Sequence, residues 1–267
     1  MFLEDVKVLE NRYVGDKYYL MKVRAPKAAK AAKAGQFFMI KCNDSVRVLR
    51  RPISLHNADA ADMTLEFYYE QVGKGTAEFA HLQAGDEINI QGPLGTGFDT
   101  DVEGKKVILV GGGMGMAPLK LLAEKLSEKN DVNFIAGGRD KGAVEIVKNF
   151  HVENIIIATD DGSVGRKGNT VEVLKDMLSE GKYDVVYTCG PHGMMLAVAD
   201  TAHKAGVRCQ ISLEERMACG VKACVGCSIK TKAGMKKVCA DGPVFDAESI
   251  LDLDPADKPS CECKGKC

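Results

Sequence analysis

Seven of the ten cysteines fall after residue 218, and four of them, Cys219, Cys224, Cys227 and Cys239, form a C-x4-C-x2-C array closed by a further cysteine after eleven residues. The surrounding segment is rich in lysine and short of large apolar side chains, so it buries too little surface to fold alone. A bound metal centre would supply the missing stabilisation. The C-x4-C-x2-C spacing is that of plant-type [2Fe-2S] loops, and Gly220 and Gly226 let backbone amides approach the sulfurs. Zinc is the competing reading, but structural zinc sites usually pair two short C-x2-C knuckles and this array has one. The five lysines between Cys219 and Cys239 (Lys222, Lys230, Lys232, Lys236, Lys237), with no acid among them, would favour the reduced, more negative form of a cluster. They serve equally well as a solvated basic face.

The opening residues, MFLEDVKV, put Glu4 and Asp5 where a secretory leader would carry basic charge. A cytoplasmic setting is therefore expected, and there disulfides are rare. A length of 267 residues predicts two or three domains. The formal charge of -1 gives no global field toward nucleic acid or an anionic membrane. The longest apolar or glycine run, Val107 to Leu119, stops at Lys120 and is shorter than the roughly 20 residues of a membrane helix.

Residues 1–101 read as short alternating runs broken by turns: DVKVLENRY, YYLMKVRAP, QFFMIKC, RPISLHN, MTLEFYYEQV and EINIQG, with GTAEFAHLQ as a short helix. That pattern predicts an antiparallel β-barrel. Over 102–208 the rhythm changes. The segments VILVGG, VNFIAGG, NIIIATDD, DVVYTCG and VRCQISL read as buried strands alternating with helical segments, which predicts an α/β domain with a parallel sheet. Residues 209–267 form the cluster domain and a tail holding Cys261, Cys263 and Cys267; the tail reads as surplus thiols without a role in the cluster.

VILVGGGMGMAP places Gly111, Gly113 and Gly115 directly after a strand, where they let the backbone approach a pyrophosphate at the start of a helix. Met116 stands where a third glycine of G-x-G-x-x-G would fall. Cys189, in TCGP at the end of another strand, would face a bound dinucleotide, since ligands collect at the carboxyl ends of parallel strands. As an isolated motif it would read as a small core thiol. In the barrel, RRPIS can present an arginine to a phosphate and a hydroxyl to a ring edge, and GKGT opens a helix whose amides could meet a pyrophosphate.

Taken in order, RRPIS, GKGT, GPLG, GGGMGMAP, TDDGSVG, TCGP and the four-cysteine array resemble the ferredoxin-reductase family along nearly the whole chain. The stretch SLEERMACGVKACVGC, with VCADGPVF after it, is especially similar to the electron-transfer subunits of class B dihydroorotate dehydrogenases. The resemblance implies an FAD-binding barrel, a domain for NAD and a carboxy-terminal [2Fe-2S] domain. It also implies a heterotetramer with an FMN-containing catalytic subunit, through which electrons from dihydroorotate reach NAD+ in pyrimidine biosynthesis. By position, Arg51, Pro52, Ile53, Ser54, Tyr68, Tyr69, Glu70, Gly75 and Thr76 would hold the flavin. Gly111, Gly113, Gly115 and Cys189 would form the nicotinamide side, with Cys189 the catalytic candidate. Many ferredoxin reductases carry tyrosine where Ile53 stands and end in an aromatic residue; this chain does neither. The small subunits of bifurcating NADH-dependent ferredoxin:NADP oxidoreductases and of sulfide dehydrogenases are similar in domain order. A zinc protein without catalytic function is the alternative from another class.

Overall fold

The computed structural model describes residues 1–43 and 47–250. The first sheet is built from β1 (Phe2–Gly15), β2 (Tyr18–Arg24), β3 (Phe37–Ile40), β4 (Arg51–Ser54), β5 (Asn57–Asp59), β6 (Thr64–Glu70) and β7 (Glu87–Leu94). They pair antiparallel in the order β4-β3-β7-β1-β2-β6-β5 and curl into a half-barrel. The twist of the strands and the register shifts in β1 and β3 let the sheet curl, and period-two alternation decides which side chains it encloses. In β6, Leu65, Phe67 and Tyr69 point into the barrel and are nearly inaccessible, whereas Glu66 and Glu70 on the alternate positions keep contact with water. The helix expected at GTAEFAHLQ is α2 (Lys74–Ala80). A second short helix, α1 (Pro26–Ala31), forms in the alanine-rich stretch after β2, with proline at its start. Its six residues are too few to show a helical period in sequence.

The second sheet begins with β8 (Lys106–Gly112), whose glycine turn continues as a 3-10 helix over Gly113–Leu119 and then as α3 (Lys120–Ser127). There follow β9 (Asp131–Gly138), a 3-10 helix (Gly142–Asn149), β10 (Asn154–Thr159), β11 (Arg166–Lys167), α4 (Thr170–Glu180), β12 (Val185–Cys189), α5 (His192–Lys204) and β13 (Arg208–Ser212). These strands are all parallel, in the order β11-β10-β9-β8-β12-β13. The chain winds outward from β8 through β9 and β10 on one side and from β12 to β13 on the other. The switch in direction therefore falls between β8 and β12, where an open parallel sheet binds its ligand.

After β13 the chain forms a loop, the hairpin β14 (Ser228–Thr231) and β15 (Gly234–Lys237), and then β16 (Val244–Asp246). β16 returns to the second sheet as an antiparallel edge beside β13, pairing Gln210 with Asp246 and Ser212 with Val244. No helix among the described residues is long and apolar enough to cross a membrane.

Buried polar contacts hold the three parts together. Asp99, just past the barrel, is met by three side chains of the second sheet: the Tyr187 hydroxyl donates to its carbonyl at 2.9 Å, the Gln210 amide oxygen accepts its N–H at 3.0 Å, and Arg208 pairs with its carboxylate at 2.7 Å. Arg208 also reaches Asp246 of β16 at 3.1 Å, and Gln210 donates to the same carboxylate at 3.4 Å. The carboxylates and Arg208 are partly exposed, so the ion pairs contribute little energy of their own. Gln210 and Tyr187 are buried and carry the joint.

His56, 1% exposed, ties the barrel to the nucleotide domain, its Nδ1 lying 2.8 Å from the Ala117 carbonyl. Burial holds its pKa down to about 4, from 6.5. The unfolded chain therefore takes up the proton first. The stability due to neutral His56 is complete above pH 6.5 and is lost as pH falls toward 4, by up to about 3 kcal/mol. Urea unfolding of wild type and His56→Asn at pH 7 and pH 5 checks this: the wild type should lose more stability between the two, and equal losses would refute it.

Candidate functional site

The nucleotide turn and the TCGP turn meet at the switch point. A β-carbon on Gly115 would collide with the Cys189 carbonyl and the Gly190 Cα, and one on Gly111 would stand 2.6 Å from Met116 Cγ. These two glycines are required by packing. Gly113 differs: its φ is +53° and the space beyond its Cα is open, so it leaves room for a ligand to approach the backbone. Cys189 is 2% exposed and stands opposite Ser212 on the neighbouring strand β13. Burial, followed by the charge of Glu214, pushes its thiol far above the ordinary range, so it stays protonated and is no thiolate nucleophile.

Glu214 was not singled out in the sequence. It lies two residues past the end of β13, at the carboxyl end of a strand beside the switch point, and that placement is the signal that could have found it. It is solvent-exposed. Desolvation, and then the charge of Glu70, raises its pKa. Glu70 itself is held in an ion pair with Lys17. Cys189, Glu214 and Glu70 thus interact across the line where the barrel meets the nucleotide domain.

On the barrel, β3 and β4 pair Phe38 with Ile53, Met39 with Pro52 and Phe37 with Ser54. Ile53 belongs to the barrel core with Phe38, while Pro52 and Ser54 lie on the alternate face with Phe37 and Met39. Of the two adjacent arginines, Arg50 is used internally, donating to the carbonyls of Met39 and Asn89 at 3.2 Å each. Arg51 forms no ion pair among the described residues. Its stem lies against Gly75 so closely that a β-carbon there would strike its guanidinium, which places an unneutralised cation over the start of α2. The Thr76 hydroxyl accepts from the amides of Val72 and Gly73 at 2.9 and 3.2 Å and fixes that start. An arginine over a cradle of backbone amides fits a pyrophosphate.

Tyr68 and Tyr69 part company. Tyr68 stacks on Tyr18 at 5.8 Å and lies 5.6 Å from the His56 ring, toward the nucleotide domain. Tyr69 points inward, its hydroxyl donating to Asn11 at 3.1 Å and its ring against Tyr19 and Phe79. The parity of β6 dictates this, and it leaves only the Tyr69 backbone for a ligand outside the barrel.

The four thiols act on one another, Cys219 chiefly with Cys224, and Cys239 chiefly with Cys227 and more weakly with Cys219. Among the described residues no three His, Cys, Asp or Glu side chains converge as a single ion would require. Two pairs suit two irons with two thiolates each better than one tetrahedral zinc. The loop between them turns its amides onto sulfur: the N–H groups of Cys224 and Val221 donate to Cys219 at 3.3 and 3.5 Å, and that of Lys222 faces Cys239. Gly220 at φ +64° and Lys222 at φ +70° produce this alternation of backbone direction. Burial acts against the charge on Cys219, yet these amides outweigh it and draw the thiol down to about 7. Burial pushes Cys239 up to about 11. The donor set and its amides fit a [2Fe-2S] centre. Cys261, Cys263 and Cys267 lie outside the described residues.

A half-barrel followed by a parallel nucleotide sheet is the architecture of the ferredoxin reductases, here with an iron–sulfur module appended. The fold matches that reported in a study of flavin-based electron bifurcation by an NADH-dependent reduced ferredoxin-NADP oxidoreductase, with a TM-score of 0.83 and 27% identity over 91% of this chain and 88% of that one. It matches a ferredoxin NADP+ reductase from Neisseria gonorrhoeae, solved with bound FAD and NADP, in fold alone: TM-score 0.62 and 22% identity over 76% of this chain and 92% of that one. Residues 214–251 match the model of the iron-sulfur cluster binding domain of dihydroorotate dehydrogenase B. The electron transfer subunit of dihydroorotate dehydrogenase B (NAD(+)) from Caldanaerobacter subterraneus subsp. tengcongensis is 40% identical over 249 residues, 92% of this chain and 97% of that protein. Its counterpart from Clostridium acetobutylicum is 39% identical over 245 residues, 92% and 96% of the two chains. The chain belongs to this family of dihydroorotate dehydrogenase B electron transfer subunits. It is an oxidoreductase subunit, and its membership implies a catalytic subunit as partner.

Proposed function

We propose that this chain holds FAD against β4, β6 and the start of α2, a [2Fe-2S] cluster on Cys219, Cys224, Cys227 and Cys239, and NAD+ at the switch point between β8 and β12. In this reading it carries electrons from the FMN of a dihydroorotate dehydrogenase catalytic subunit, through the cluster and FAD, to NAD+, in a cytoplasmic heterotetramer of two of each subunit. FAD supplies the exchange between hydride, which carries two electrons, and the cluster, which takes one. The residues do the rest. Arg51 and the amides of α2 bind phosphate, Gly113 admits the dinucleotide, and the neutral Cys189 and the carboxylate of Glu214 line the cleft where the nicotinamide would meet the flavin. The functional modules are 1–101, 102–208 and 209–267, with β13 and β16 shared through one sheet.

The observation that carries this reading is the seating of the cluster loop on β3, the strand beside β4: Gly220 packs on Met39, the cross-strand neighbour of Pro52. None of the described residues adds a pocket with an evident base for a dihydropyrimidine. The isolated protein should oxidise NADH with an artificial acceptor and leave dihydroorotate untouched. Adding the FMN-containing subunit should create dihydroorotate-to-NAD+ activity. Dihydroorotate oxidation by this chain alone would overturn the division of labour. The 27% identity to the bifurcating oxidoreductase favours a second reading, the small subunit of such an enzyme. Affinity purification from the native cell separates the two by the subunit that accompanies the chain.

A further inference from the structure

One side chain, Met39, links the cluster loop to the strand that pairs with β4. Met39, on β3, is fully buried. Its backbone pairs with Pro52 of β4, and its carbonyl accepts from Arg50 at 3.2 Å, so β3 cannot slide along β4. On the other side its thioether lies against the cluster loop: a β-carbon on Gly220 would stand 2.5 Å from Met39 Cγ and 2.8 Å from Sδ. Met39 shares one apolar cluster with Cys227 and Cys239, and Met217 and Val221 pack against the same group. A glycine at 220 with φ +64° brings the backbone beside Cys219 onto the methionine without a side chain of its own.

We propose that Met39 is a positioning residue for electron transfer between cluster and flavin, filling the gap between the cluster loop and β4 and setting their separation. The inference rests on the reading that both groups are bound by this chain. Each transfer moves one electron, oxidising one centre and reducing the other, and no bond forms or breaks. Two such transfers balance one hydride exchanged with the nicotinamide. A close-packed interior holds such a distance because a removed side chain leaves a void or a shifted loop.

The test uses the purified full chain with its cofactors, wild type and Met39→Leu, Met39→Val and Met39→Ala. FAD and iron content are measured first. Stopped-flow absorbance then follows reduction of FAD by NADH, and freeze-quench EPR follows the appearance of reduced cluster. In Met39→Ala the second step should slow severalfold while the first keeps its wild-type rate; Met39→Val should lie between, and Met39→Leu should match wild type. Should the alanine variant lose its cofactors, the valine variant carries the comparison. Wild-type transfer rates in variants that keep both centres would overturn the proposal. Wild-type protein lacking flavin or cluster would instead overturn the reading on which it rests.

Discussion

Serine in place of Cys219, Cys224, Cys227 or Cys239 is expected to remove or badly distort the cluster and to abolish coupled dihydroorotate-to-NAD+ turnover, while FAD stays bound. The separation follows from the geometry. Cys219, Cys224 and Cys227 lie on the loop before β14 and Cys239 on the turn after β15, whereas Arg51, Ser54 and Thr76 lie on β4 and α2 of the barrel. NADH oxidation with an artificial dye should survive in large part, because that path needs only the nucleotide cleft and the flavin. Iron and flavin per chain decide the point. Normal iron in any one variant removes that cysteine from the ligand set, and coupled turnover after complete cluster loss would falsify the placement of the cluster between the two flavins. Serine at Cys261, Cys263 or Cys267 should leave iron unchanged.

Replacing Arg51 by alanine should release flavin. A charge-assisted contact to phosphate is worth about 1.5 to 3 kcal/mol, equivalent to roughly ten- to hundredfold in affinity. The arginine has no carboxylate partner among the described residues, so little other than a bound anion depends on its charge. Gel filtration at falling protein concentration, followed by flavin absorbance, measures the loss. Arg51→Lys should fall between, since an ammonium keeps the charge but not the paired donors. Equal FAD retention in wild type and Arg51→Ala would refute the role.

What was legible in the sequence was whatever repeats or needs a special residue. VILVGG, VNFIAGG and NIIIATDD announced parallel strands by their unbroken apolar runs, and the cysteine spacing announced its loop. β5 and β16, three residues each, are too short to register as strands. The return of β16 to the second sheet depends on partners 36 residues apart, Gln210 and Asp246, which no local pattern records. Tyr69 shows the limit of carrying a motif across by position. The parity that buries Leu65 and Phe67 turns its ring into the barrel, and the sequence held that parity in plain view. The distinct roles of Gly111, Gly113 and Gly115 appear only when the opposing TCGP turn is in place. Glu214 drew no notice because acids after a strand are common. Its proximity to Glu70 and Cys189 is a property of the assembled fold.

β16 also acts as a guard. Parallel sheets are ordinarily covered on every side, and an open strand at the margin is a template for pairing with another chain. β13, with Cys209 and Ile211 buried along it, would be such a margin if it stood last in the sheet. The strand that covers it is three residues long, and seven positions separate its last residue, Asp246, from Cys239. Arg208 and Gln210 on β13 hold that cover in place through Asp246, and the Leu213 amide donates to Pro243 at 2.9 Å, so β13 does not present its backbone for pairing with a second chain.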